Sequence, residues 1–136
     1  MEILRWKTRI AVLWIFLAVA MSASMVLSFM EPGVIEDIIA GEMDGWEISE
    51  GLLAFFGIFW LIPLIMAVLS LTLKDSANRW TNIVLGIVVT VWNIVHLIMH
   101  LAEGELPLDH LMFMVAMIVV SGLIFWYAWR WPELEA

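Results

Sequence analysis

The chain has three histidines and no cysteine. Imidazole is the one side chain here that titrates near neutral pH and also serves readily as a metal ligand. His96 and His100 stand four residues apart, and with Asn93 and Glu103 they fall at i, i+3, i+7 and i+10. On a helix that spacing makes a single polar stripe. Three kinds of chemistry suit it. His96 and His100, joined by His110, Glu103 or Asp109, could form a nitrogen-and-oxygen site for zinc, copper or iron. Two of His96, His100 and His110, on different helices, could ligate a haem axially. Without any cofactor, the imidazoles could relay protons or hydrogen-bond a quinone-like head group. The plain alternative is that Asn93 and one histidine bond neighbouring helices, worth about 1 kcal/mol each, while His100 and His110 sit hydrated near a surface. The spacing names no cofactor. His96 is followed by leucine, not by the glutamate of the zinc-protease motif. There is no nucleophile–base motif, P-loop or glycine-rich dinucleotide fingerprint, so a standard soluble-type enzyme is not expected.

The elements that must carry these residues are apolar. The chain of 136 residues is 64% hydrophobic and 15% charged, where a soluble protein is roughly half apolar and a quarter charged. Apolar stretches run over residues 10–30, 51–73, 80–101 and 110–130. Each is near the ~20 residues a helix needs to cross ~30 Å of hydrocarbon. Barrel-like alternation is absent, and lipid leaves backbone groups to satisfy themselves, so helices are expected. The expected fold is all-α: a four-helix transmembrane bundle forming one integral-membrane domain over residues 1–136. The first stretch mimics a signal peptide, with Ala18, Val19 and Ala20 resembling a cleavage site, but its apolar run continues through Met30. It reads as the first span.

Charge orients the bundle. Arg5, Lys7 and Arg9 precede the first span, Lys74 and Arg79 separate the second and third, and Arg130 closes the fourth. The connections at 31–50 and 103–109 hold ten of the 14 carboxylates and no Lys or Arg. Positive charge is retained on the cytoplasmic side of short loops, which predicts a multi-pass protein with both termini cytoplasmic. A bacterial inner membrane or an archaeal cell membrane is the expected location. No basic footprint for nucleic acid exists. Without cysteine, disulfides and thiolate ligands are excluded. The acidic outer loops could attract cations or a basic partner, or simply aid solubility.

Local signals fill in the connections. Ala18 with Ser22 and Ala20 with Ser24 predict a close-packing face on the first span. Val34, Ile35, Ile38 and Ile39 share one face of a short segment ended by Gly41, which suits an amphipathic helix lying in the outer interface, with Trp46 as a headgroup anchor. Ser49 is the expected N-cap of the second span, Pro63 should kink it, and Gly57 offers close packing. The turn at 74–79 should make spans two and three antiparallel neighbours, with Asp75 or Ser76 as cap. Gly104 should end the third span and Asp109 cap the fourth. Ser121 and Gly122 offer another small contact point. Trp6, Trp80, Trp126, Tyr127, Trp129 and Trp131 read as an inner aromatic belt.

Four strings carry a family resemblance: Leu13, Trp14, Ile15 and Phe16; Leu27, Ser28 and Phe29 leading to Pro32 and Gly33; Ala77, Asn78, Arg79 and Trp80 with Asn82 and Ile83; and Trp126, Tyr127, Ala128 and Trp129. Through them the chain resembles a family of small prokaryotic four-helix membrane proteins known as a domain of unknown function. That family in turn resembles the DoxX-like proteins, some of which are membrane subunits of quinone-linked oxidoreductases. Relatives often carry Asn or Asp in the second half of the first helix. Here that stretch reads Met21, Ser22, Ala23, Ser24 and Met25, a departure from the family pattern.

The first expectation is therefore a non-enzymatic membrane binding or accessory protein. Its polar pocket would open to the outer face and be lined by Asn93, His96, His100, Glu103 and His110. The alternatives are a haem- or metal-binding, quinone-linked redox subunit using the same histidines, or a small transporter. The lipid bilayer is the expected partner, with a homodimer or a membrane partner protein also compatible with the small-residue faces.

Overall fold

A computed structural model describes residues 1–104 and 106–132. Glu105, one carboxylate of the acidic turn, and residues 133–136 lie outside the described residues. Five helices and one minimal hairpin appear in the order α1 (Glu2–Ser28), α2 (Val34–Ala40), β1 (Glu42–Met43), β2 (Trp46–Glu47), α3 (Glu50–Thr72), α4 (Asp75–Glu103) and α5 (Leu108–Trp129). Helices α1, α3, α4 and α5 are each long and apolar enough to cross a membrane.

The helices outrun the apolar stretches. With 27 residues in α1 and 29 in α4, they extend for about 40 Å at the α-helical rise, more than the hydrocarbon alone requires. Arg5, Lys7 and Arg9 therefore lie inside α1, and Asp75 and Arg79 inside α4. The expected six-residue turn at 74–79 shrinks to Leu73 and Lys74. Lys74 takes the N-cap position, and Asp75 stands in the first turn, where its carboxylate meets Lys7 Nζ at 2.8 Å. Lys7 also donates to the carbonyl of Leu73, the C-cap of α3, at 2.9 Å. One ammonium thus joins α1 to the end of α3, where a cation complements the helix dipole, and to the Asp75 carboxylate at the start of α4.

Other termini follow local chemistry. Ser49 caps α3, its Oγ accepting from Leu52 N–H at 3.2 Å. Gly41 and Gly104 end α2 and α4 with φ of 86° and 81°, values that favour glycine. Pro107, not Asp109, is the N-cap residue of α5, and Asp109 falls in the first turn. Between α2 and α3, Asp44 and Gly45 both adopt positive φ and close the Glu42–Met43 and Trp46–Glu47 ladder. This is the two-residue hairpin that an Asp-Gly pair favours.

Packing follows the order α3–α1–α5–α4. Long interfaces join α1 to α3, α1 to α5, and α4 to α5. By contrast, α3 and α4, expected as close neighbours from their short turn, share only a short interface. The core cluster includes Ile10, Trp14, Leu17, Met66, Ile83, Ile124 and Trp131. Buried residues stop at Ala20 on α1 and begin at Pro63 on α3. The bundle is thus tight toward the end carrying the chain termini and loose toward the opposite end, called here the histidine end. Large apolar side chains cover the outside, among them Val12, Val19, Ile58, Val68, Val88 and Ile98, as a lipid-solvated bundle requires.

Small residues are used selectively. Gly86 lets α4 press onto α5: a Cβ there would meet Phe125 N at 3.0 Å and its Cα at 3.1 Å. Ala18 and Ala20 are buried within the bundle, while Ser22 is exposed and its hydroxyl turns back to the Ala18 carbonyl. Gly57 and Gly122, expected as close contacts, have open space where a Cβ would stand.

Candidate functional site

The histidines converge where α4 ends and α5 begins. Gly104 breaks α4, Pro107 holds the chain extended, and the reversal brings His110 beside His100. Ring centroids lie 4.6 Å apart for His96 and His100, 5.1 Å for His100 and His110, and 6.4 Å for His96 and His110. The Nε2 atoms of His96 and His100 are 3.1 Å apart. One of them must donate and the other accept. Glu103 Oε2 lies 3.6 Å from His100 Nδ1. Which of the two Nε2 atoms donates depends on the tautomers of the two rings. All three rings are half-buried. Among the described residues, no group of three or more His, Cys, Asp or Glu side chains is arranged to hold a metal ion.

An aromatic ladder leads away from the cluster. Trp92 stacks on His96 with 18° between planes and centroids 6.4 Å apart. Phe59 of α3 meets Trp92 at 5.6 Å, and Phe55 stacks on Phe59 at 6.2 Å. Phe55 and Trp92 remain 49% and 43% exposed. The ladder crosses from α3 to α4, helices that share only a short interface.

Asn93 separates from the other members of its sequence stripe. It is only 8% exposed and borders a cavity of about 20 Å³ with Trp14, Leu17, Phe59, Pro63 and Met117 among its walls. None of the histidines is among its walls.

The sequence reading passed over a second polar constellation, at the opposite end. Asn82 Oδ1 accepts from Trp14 Nε1 at 2.7 Å and from Ser70 Oγ at 3.3 Å. Asn82 Nδ2 donates to the Asn78 carbonyl at 2.9 Å and to Asn78 Oδ1 at 2.7 Å. Asn78 Nδ2 in turn donates to the Ser70 carbonyl at 2.6 Å. Ser70, Asn78 and Asn82 have no exposed surface. The Asn82 amide fills its two donor and two acceptor positions, a closed inventory that suits a dry interior. The network ties α1, α3 and α4 together where the bundle is tightest. Its signal was present in the sequence: Asn78 and Asn82 lie four apart at the start of an apolar span, and both belong to the strings that carry the family resemblance, as does Trp14.

Beside the network, the aromatic residues expected as a belt divide into roles. Trp6 packs edge-on to Tyr127 at 5.0 Å, Arg9 lies over both rings, and Arg130 sits 4.4 Å from the Trp126 ring. Trp80 and Trp129 are exposed, whereas Trp131 is buried.

Fold and site together define a small bundle of four membrane-length helices with an imidazole cluster at one end and a closed amide network toward the other. The chain belongs to DUF6326, a family of unknown function, whose sequence model matches residues 1–135. No curated protein and no solved structure matches it. The family membership agrees with the resemblance drawn from the sequence in being a domain of unknown function; neither the prokaryotic origin nor the wider likeness to DoxX-like proteins finds support in these comparisons.

Proposed function

We propose that this chain is an integral membrane binding or accessory protein, and that it binds a lipophilic ligand through the imidazole cluster of His96, His100 and His110. The observation that supports this is the continuity of the cluster with the ladder of Phe55, Phe59 and Trp92. A flat, apolar ring would lie against the aromatic edges, entering from lipid between α3 and α4. Its polar atoms would meet imidazole nitrogens at the helix ends, in the way a quinone-like head group is held by hydrogen bonds. An imidazole nitrogen can donate or accept a hydrogen bond according to its tautomer. In this reading the histidine end faces outward and both termini are cytoplasmic, as the distribution of Lys and Arg suggests. Glu103, 3.6 Å from His100 Nδ1, is in this reading a positioning residue for that ring.

The test is a titration of the detergent-solubilised protein with a short-tailed quinone, read by quenching of Trp92 fluorescence in a variant in which the other tryptophans are phenylalanine, Trp14 excepted. The His96→Ala/His100→Ala variant should bind at least tenfold more weakly, the loss of about 1.4 kcal/mol or more expected for hydrogen-bonding partners removed from a site in lipid. Equal affinity in the two proteins would overturn the assignment. Stoichiometric zinc, copper, iron or haem in the parent protein, lost in the same variant, would transfer the cluster to the redox reading.

A further inference from the structure

The C-terminal end of α5 gathers three guanidinium groups from three parts of the chain. Arg130 is the C-cap residue of α5 and lies 4.4 Å from the Trp126 ring. Arg9 of α1 stands over Trp6 and Tyr127, 5.7 and 5.9 Å from their ring centroids. Arg79 of α4 donates from Nη2 to the Trp129 carbonyl at 3.4 Å. In the sequence each borders an apolar stretch: Ile10 follows Arg9, Trp80 follows Arg79, and Arg130 ends the last one. The three groups therefore share one depth, where hydrocarbon gives way to headgroups. Arg9 and Arg130 are exposed, and Arg79 is half-buried. Among the described residues none of the three forms an ion pair, and Asp75, at the same end, is held by Lys7. One cation is enough to complement the C-terminal dipole of α5. Three exceed that need, and each guanidinium carries five N–H donors.

We propose that this end of α5 binds the headgroup of an anionic phospholipid. A guanidinium meets a phosphate through parallel N–H···O bonds. The rings beside Arg9 and Arg130 hold those side chains in place before the lipid arrives, which lowers the entropy cost of binding. Helices α4 and α5 pack on each other, and both expose apolar side chains for the acyl chains, among them Trp80, Val84 and Val88 on α4 and Val119 and Leu123 on α5. Net charge decides between lipids. A zwitterionic headgroup brings its own ammonium, which the three cations repel, whereas an anionic one adds only attraction. The site is independent of the histidine cluster, which lies at the other end of the helices.

The experiment is native mass spectrometry of the full chain, released from micelles holding equal amounts of phosphatidylglycerol and phosphatidylcholine with the same acyl chains. The parent should retain phosphatidylglycerol at least about fivefold over phosphatidylcholine, the preference expected of one or more basic side chains at a charged surface. Arg9→Gln/Arg79→Gln/Arg130→Gln should bring the two lipids to parity. Arg5→Gln, at an exposed residue outside the group, should keep the preference. Equal retention of the two lipids by the parent would overturn the site, and that reading needs no variant to fold. An equal loss in Arg5→Gln would also overturn it, by showing diffuse surface charge. Inorganic phosphate that displaces phosphatidylglycerol at equal concentration would make this a site for a free anion and overturn the lipid. Glu133 and Glu135 follow in the sequence, so the full chain sets the lipid against carboxylates of its own.

Discussion

Single residues divide this molecule into a closed site and an open one. The amide of Asn82 meets four partners and leaves nothing for a ligand. The imidazoles of His96, His100 and His110 meet mainly each other and Glu103. Stability should follow the first group and binding the second. Asn82→Leu strands Trp14 Nε1 and Asn78 in an apolar interior, so it should cost about 2–3 kcal/mol, measured by reversible unfolding in mixed micelles. His96→Ala/His100→Ala should change stability by less than about 1 kcal/mol while weakening the ligand. The histidines were legible because charge-bearing side chains stand out in an apolar run. Asn78 was not, because the expected turn at 74–79 explains a polar residue without further argument, and Asn82, inside the expected span, stands alone there until Asn78 joins it. The shortening of that turn to Leu73 and Lys74 places Asn78 on the same helix, four residues before Asn82.

At the scale of the elements, apolar length and cap chemistry made the four long helices legible. Ser49, Gly41 and Gly104 perform the roles their types suggested. Asp75 and Asp109 do not, since each helix begins one or more residues before its carboxylate can cap. The pairing of helices was less legible. A two-residue link allows antiparallel neighbours but does not compel them, and the choice rests on side-chain volume at one crossing. Gly86 permits α4 to lie against Phe125 of α5, while nothing equivalent draws α4 onto α3. Gly86→Leu should therefore destabilise by about 1–3 kcal/mol through overpacking. It should also weaken ligand binding severalfold, because His96 and His100 face His110 across the same interface. Gly57→Ala, with open space around it, should leave both quantities unchanged. Equal effects at the two glycines would contradict the packing order.

For the whole molecule, the four membrane-length helices set the lipid environment, and the uneven packing sets where a ligand can enter. The termini end is locked by Lys7, the amide network and the core cluster; the histidine end is loosely packed and rimmed with aromatic rings. Orientation can be tested directly, because the chain lacks cysteine. Glu36→Cys should react with an impermeant maleimide added to intact cells, and Ser76→Cys only after the membrane is breached; the reverse pattern would invert the topology. The central claim is that the imidazole cluster retains a lipophilic ligand. Mass spectrometry of the small molecules that co-purify in mild detergent, from the parent and from His96→Ala/His100→Ala, addresses it most directly. The account predicts a ring-bearing amphiphile held near one per chain by the parent and depleted in the variant. Identical complements of bound lipid in the two proteins would contradict it.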